Sequence, residues 1–490
     1  SKKLPETGLG STKATYLASA TKVSGYDIDL MILAQNQGFA RYKTTTNTKA
    51  NIYASKFNVV MPNCNCPNTF GFQFVLNENA TDVKVLILDG DSIVKTIEGG
   101  ALNKGLNTID ADLNDLTAPK EYNWAITATT DPMDRPVKIS DNTNPLMQFF
   151  YPRSVSVDNN PGSQNFGNIY VSESAAGTLP GRATQDGIYM LNAALQDFSN
   201  QGATAYTGGV SWITNSNSSP MRLTAGEDGN VYICDWSDAH PGVWKMDPSN
   251  PTAAFKPVFD GLTKQTSGLS TFNNVNIHGS ISHCYSTGTG DNTKLFTFDE
   301  DYIDAVATNS GNLLQYNIGT LASPMQTAPS IVYNDGLYGN LQQNKNSCIA
   351  PDARGGWWIS QYRAADTDLI PSLIHVNASG VVDFNSGKTP TLIENSYTAG
   401  LAVTTDGKKL AMGCNNEVKI FDVTFSEAGV PTLTRLHSIK PAMGANTQGI
   451  AFDIAGNVYV VSEGDKRLGI WALPKANNTS TTRSSIAVHL

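Results

Sequence analysis

Long hydrophobic runs are missing from this chain. No stretch of about 18 apolar residues occurs in its 490 residues, so no segment reads as a helix able to span a bilayer. Charge is scarce as well: Asp, Glu, Lys and Arg together make up 16% of residues. The balance is acidic, a net charge of −9, which argues against nucleic acid or an anionic membrane surface as partner. The six cysteines, Cys64, Cys66, Cys234, Cys284, Cys348 and Cys414, are too few and too scattered for a disulfide scaffold. No Cys-x-x-Cys-His occurs, which excludes covalently attached haem. Cys64-x-Cys66 reads as a plain turn, with a strained local disulfide or half a metal site as alternatives, because no second pair or nearby histidine completes a zinc set. Cys234 and Cys414 follow strand-like runs and are expected to be small buried hydrophobes. No catalytic motif stands above background. No signal peptide begins at Ser1, so the chain reads as mature and already processed.

What is present is β structure. Hydrophobic residues are 40% of the chain, accompanied by abundant Asn, Thr, Ser and Gly, a composition that favours an all-β exported protein. Residues 447–474 read as strand, turn, strand, turn, strand, and this unit recurs upstream. Its middle strand returns as Ile169-Tyr170-Val171, Val231-Tyr232-Ile233, Trp357-Trp358-Ile359, Leu410-Ala411-Met412 and Val458-Tyr459-Val460, with a poorer copy at Cys284-Tyr285-Ser286. A second alternating run follows each one. A period near 50 residues with this content is the signature of propeller blades, which bury both faces by stacking on neighbours and protect their edges by closing a ring. The count is about six blades within a propeller spanning 136–490, with Ser484–Leu490 expected as the outer strand that closes it.

Residues 1–50 form a polar extension with one alternating segment, Tyr26–Leu33. Leu4-Pro5-Glu6-Thr7-Gly8 matches the sortase pentapeptide at the wrong end of the chain, where it reads as coincidence or remnant. Ala14–Val23 has the length and composition of a strand that could be donated to a sheet edge. Residues 51–135 read as a β-sandwich of the immunoglobulin type, with strands at Phe57–Met61, Phe70–Leu76, Val83–Leu88, Ser92–Ile97, Leu106–Ala111 and Tyr122–Thr129. Its run FVLNENATDVKVLILDGDSIVKTIEGG…GLNTIDADLNDL…YNWAITA resembles the Ig-like domain of flagellar hook-capping proteins, which implies a spacer or docking module. Further on, SVSVDNNPGSQNFGNIYVSES, SPMRLTAGEDGNVYICDWSDAHPGVWKMDP, APDARGGWWISQYR and GLAVTTDGKKLAMGCNNEVKIFDVT look like a family of secreted or surface β-propeller proteins of Bacteroidales. That resemblance implies location and architecture and carries no activity.

Two kinds of chemistry are open to such a propeller. Lactonase-like propellers hold a metal in the central channel through Glu, Asn and Asp; the eligible residues here are Asp158, Glu173, Asp235, His278, His283, Asn346 and Asp352. Their order does not reproduce the lactonase pattern, and turn-capping Asp and Asn are expected in every blade. Asp235-Trp236-Ser237-Asp238 and Trp357-Trp358 set aromatics beside carboxylates, a pairing that binds sugars, although aromatics also dominate cores. His278, before Gly279, is the histidine placed to act as a base, against the reading that it bonds backbone carbonyls. Asp91-Ser92-Ile93 fits an Asp-Ser-aliphatic O-glycosylation pattern, making Ser92 the acceptor.

The expectation is therefore an Ig-like sandwich followed by a six-bladed propeller, acting outside the cell without catalysis, through association with itself or other surface proteins. Binding of glycans or nutrients beside an outer-membrane uptake system is the first alternative, and metal-dependent hydrolysis the second. No cofactor is called for; a structural Ca2+ is compatible with the sequence.

Overall fold

The computed structural model describes residues 51–61, 68–197, 201–212, 218–237, 242–259, 281–300, 311–325, 329–334, 347–363, 365–389, 391–396, 400–414, 416–440 and 447–490, and the backbone alone of 27–34, 38–45, 270–272 and 276–278. Among the described residues strands account for nearly all of the regular structure, and the helices are four three-residue 3-10 turns. No helix among the described residues is long and apolar enough to cross a membrane. Contacts divide the chain into two compact units. One runs to Asp134 and resumes at Lys475–Leu490; the other is Arg135–Pro474.

The first unit is an antiparallel sandwich. Its smaller sheet orders Ala54–Val60, Thr69–Leu76 and Gly105–Asp112. The larger orders Ser92–Leu102, Ala80–Asp89, Glu121–Thr129 and Thr479–Arg483. All six strands expected from alternation are present, and the turn expected at Asp89-Gly90-Asp91 puts Gly90 at φ +61, where a side chain would be strained. Alternation does what it should: Phe72 and Phe74 of one sheet meet Val83, Val85, Ile87, Trp124 and Ile126 of the other in one core. Trp124 is met edge-on by Phe57 at 5.3 Å and Phe72 at 4.9 Å. Each such buried side chain contributes about 2 kcal/mol of transfer free energy.

The C-terminal segment corrects the expected closure. Ser484–Leu490 supplies no blade strand. Thr479–Arg483 and Val488–His489 both pair with Glu121–Thr129 of the sandwich. Hydroxyl pairs Thr127–Thr481 (2.8 Å) and Thr129–Thr479 (3.0 Å) run along that seam, and Val488 enters the sandwich core. The propeller accordingly ends at Pro474.

The second unit is a six-bladed propeller. The inner strands are Pro152–Val157, Leu223–Ala225, Ile281–Thr287, Ser347–Pro351, Leu401–Val403 and Thr447–Phe452. Each touches the next, and the sixth touches the first, so the ring is closed. Blades 2 to 5 are four-stranded and blade 1 has three named strands. Blade 6 takes its outer strand from the other end of the unit: Val137–Lys138 pairs with Ala472 and Trp471. Middle strands such as IYVSE, VYICD, WWISQ and VYVVS are buried throughout because a neighbouring blade covers each face.

Blade 3 also departs from expectation. Cys284-Tyr285-Ser286 lies in the inner strand, and Lys294–Asp299 is the middle one. Measured to Phe296, the middle strands of blades 1 to 4 stand 62, 64 and 62 residues apart, longer than the expected period near 50. The alternating segment near Tyr26–Leu33 forms a hairpin, Asp27–Ala34 with Gly38–Thr45. Residues 1–24 and Cys64-x-Cys66 lie outside the described residues. Cys234 and Cys414 are buried as expected, and so are Cys284 and Cys348.

Candidate functional site

The blade topology sorts the polar residues between two rims. Inner strands start, and middle strands end, at what is here the upper rim; the inner-to-middle turns form the lower one. Five of the seven residues eligible to hold a channel metal are described, and they divide between the rims. Asp158 and Asp352 follow inner strands and sit at the lower rim. Glu173 and Asp235 end middle strands, and His283 lies near the start of an inner strand, all at the upper rim. Five residues of strand, roughly 16 Å, separate the rims, so these five cannot share one ion. The side chain of His278 and the whole of Asn346 lie outside the described residues.

At the lower rim the acidic residues cap turns. Asp158 accepts from the Asn160 N–H at 2.9 Å and the Ser163 hydroxyl at 2.6 Å. Asp453 accepts from Asn457 and from the Tyr459 hydroxyl at 3.1 Å, and Asp228 receives the Tyr232 hydroxyl at 2.8 Å. In blade 4 a tryptophan replaces that tyrosine, and His375 takes its place: Nε2 meets Asp352 at 2.7 Å and Nδ1 meets Asp383 at 2.5 Å. Burial works to raise the Asp352 pKa. The hydrogen bond from His375 and the N–H groups of Gly356 and Arg354 outweigh it and hold that pKa below the usual carboxylate value.

The upper rim is different in kind. Glu173, Asp235, Asp299 and Gln361 end the middle strands of blades 1 to 4, a polar layer set into the apolar blades, and all four are buried. Burial pushes the Glu173 carboxyl up to about 8, against the N–H groups of Tyr151 and Phe150 that it accepts. Burial likewise raises Asp235 to about 7, against hydrogen bonds from Ser237 and from the Ser219 hydroxyl at 2.7 Å. Beside them Arg153, itself buried, pairs with Glu463 at 3.1 Å, and Gln448 donates to the same carboxylate at 3.3 Å.

Arg222 enters from the start of blade 2 and spans the channel. Its Nη1 donates to the carbonyls of Ser282 (2.8 Å) and Ser347 (3.0 Å), and Nη2 to that of Gln448 (3.4 Å). Those carbonyls belong to the inner strands of blades 3, 4 and 6, so the guanidinium lies on the axis. A cation in that position opposes a divalent metal there, and no group of three His, Cys, Asp or Glu among the described residues could hold one. The described upper-rim residues therefore do not fit a channel Ca2+ beside that charge. His283 accepts the Ile349 N–H at 3.0 Å through Nδ1; burial, then the charge of Arg222, depress its pKa and keep it neutral.

A cavity of about 260 Å³ also opens at the upper rim, beside blade 5. Glu394, Asn395, Cys414, Glu417, Lys419 and Lys440 line it with Ile393 and Asn416. Buried Lys419 donates to the Ile393 carbonyl at 2.8 Å and pairs with Glu394 at 3.1 Å and Glu417 at 3.4 Å. The Asn395 side-chain oxygen in this wall is buried without a partner.

The proposed sugar-stacking aromatics are placed otherwise. Trp357 is packed between blades 3 and 4 against Phe296 and Tyr285, and Trp358 packs in blade 4 at an angle to His375 and edge-on to Phe384. Both are buried and present no face to a ligand. Trp236 is half-buried against the blade 2–3 core, while neighbouring Asp235 is sealed. Ser92 is exposed at the start of the sandwich's edge strand. Arg222, Arg153 and Lys419 were not singled out from the sequence. The signal was there in Arg222, a charge set into an apolar strand start (MRLTA).

No family model matches the chain, and no curated protein matches it. Among solved structures it is similar to the PQQ domain of pyranose dehydrogenase from Coprinopsis cinerea, at 12% identity over 69% of this chain and 98% of that one, TM-score 0.41. It is similar to a calcium-binding regucalcin from Agrobacterium tumefaciens, at 13% identity over 71% and 96%, TM-score 0.38. It is also similar to a gluconolactonase from Xanthomonas campestris, at 11% identity over 71% and 98%, TM-score 0.36. At these scores the likenesses assign no chemistry to this chain, whose function rests on its own residues.

Proposed function

We propose that the propeller is a binding module for a small polar molecule such as a sugar or sugar acid, taken up at the upper rim beside blade 5. The cavity there carries the reading: about 260 Å³, walled by two lysines, two glutamates and two asparagines, with the buried Asn395 oxygen able to accept a hydroxyl. The test is calorimetric titration of the full chain with monosaccharides, sugar acids and their lactones. Saturable binding that Asn395→Ala weakens tenfold or more supports the reading. Absence of binding across the panel, or binding indifferent to Asn395→Ala, overturns it.

Hydrolysis is the second reading, favoured by one observation. Burial raises the Glu173 and Asp235 carboxyls to about 8 and about 7, the range where a general acid works. Turnover of lactones or esters, assayed with and without Ca2+, decides it. The sandwich serves as an immunoglobulin-type spacer or docking module on an exported or cell-surface protein, in line with the residues that resemble those families. A self-associating role draws on the Ser92–Leu102 edge strand, where Ile93 and Val94 stand exposed.

A further inference from the structure

The channel axis poses a separate question, independent of the blade 5 cavity. Arg222 is 1% exposed, yet every acceptor it reaches is a neutral backbone carbonyl. No carboxylate among the described residues pairs with it; Glu463, the acid of the neighbouring pair, is bonded to Arg153. The Nε–H of Arg222 has no acceptor, and the hydroxyl of Ser282, the residue whose carbonyl Arg222 holds, is buried without a partner as well. A guanidinium withdrawn from water needs a counter-charge, and the titratable groups facing it do not supply one. His283 is held neutral, and burial raises the Cys348 thiol so that it too stays uncharged. What remains among the described residues is a positive charge with one unused N–H, and an unused hydroxyl on the residue whose carbonyl it holds.

We propose that the upper end of the channel is a small-anion site, in which Arg222 Nε and Ser282 Oγ hold a monovalent anion, either a halide or the carboxylate of a small acid. Carboxylate suits guanidinium by shape and charge, and a halide suits it by charge alone. A cation is the one class of ion this position rejects. The inference holds whether or not the blade 5 cavity takes a sugar, and the two sites are read by different residues.

The experiment is crystallography of the full chain grown in sodium bromide, with melting curves in sodium bromide, chloride, formate and fluoride at equal ionic strength. Expected are anomalous density at contact distance from Arg222 Nε and a melting temperature that rises saturably by a few degrees with the bound anion, as mass action requires. Arg222→Met should abolish the saturable rise, and Ser282→Ala should weaken the apparent affinity several-fold if Arg222→Met does not fold. Stabilisation by formate that displaces the bromide peak identifies a carboxylate site; stabilisation by halide alone identifies an ion site. Wild-type crystals without density on the axis, together with melting curves that coincide in all four salts, overturn the proposal.

Discussion

Replacing Asp235 by Asn tests whether the upper-rim acid layer is protonated near neutrality. The carboxyl of Asp235 is buried at the end of a middle strand, and its pKa is raised from 3.8 to about 7. The sign follows from proton counting. Below pH 3.8 both folded and unfolded chains carry the proton and the group adds no pH dependence. As pH rises from there toward 7, the unfolded chain releases the proton while the folded chain keeps it. Stability is therefore lost over that window and levels off above it. At about 1.4 kcal/mol for each pH unit between the two values, the wild-type protein loses about 4 kcal/mol relative to a variant that cannot titrate. Asparagine is that variant. It keeps an oxygen for the Ser237 N–H, and the Ser219 hydroxyl can rotate from donor to acceptor. Urea unfolding is followed by tryptophan fluorescence, which reports mainly the propeller because only Trp124 of the seven tryptophans lies in the sandwich. The difference between Asp235→Asn and wild type should grow by about 4 kcal/mol between pH 4 and pH 7 and then flatten. A difference that stays constant across that range refutes the reasoning, because Asp235 would then be ionised in the folded protein.

Deleting residues 484–490 removes Val488 from the sandwich core and uncovers part of the Glu121–Thr129 edge, so the sandwich should lose stability while the propeller does not. Differential scanning calorimetry with Trp124 quenching distinguishes this from loss of a blade strand, which would lower the propeller transition instead. Trp358→Ala should destabilise the propeller by about 3–5 kcal/mol through the cavity left against His375 and Phe384, measurable by urea unfolding. A loss under 1 kcal/mol would mean that the indole is not packed as described.

The blades were legible because a middle strand covered on both faces is apolar up to its final residue, as in Val231–Asp235 and Val458–Ser462. Blade 3 misled for the same reason: its inner strand, Ile281–Thr287, carries Cys284 and Tyr285, which imitate a middle strand. Ring closure left almost no trace, since Val137–Lys138 is two residues long and its pairing is made by backbone groups that any sequence possesses. The alternating Ser484–Leu490 fits any free sheet edge, and alternation cannot say which edge. Trp357 and Trp358 looked like ligand platforms because aromatic residues beside polar ones suit a sugar and a blade interface equally. Arg222 escaped notice because three distant inner strands supply its acceptors, and their convergence exists only once the ring has closed.

The return of the chain from Pro474 to the sandwich fixes an order of events during synthesis. A ribosome delivers the first six sandwich strands before any blade, yet the strand that flanks Glu121–Thr129 is made only after the last blade. Until then that edge has no strand of its own chain to pair with, for as long as it takes to translate some 340 residues of propeller. At about 5–20 residues per second this is a wait of roughly 20–70 seconds, far longer than a hairpin needs to form. The nascent sandwich thus spends its first minute with an open flank, and anything that must hold it in an unfinished state, whether a chaperone or an export machine that accepts only unfolded chains, has that interval in which to act. Completion of the sandwich is, in effect, a receipt that the whole propeller has been made.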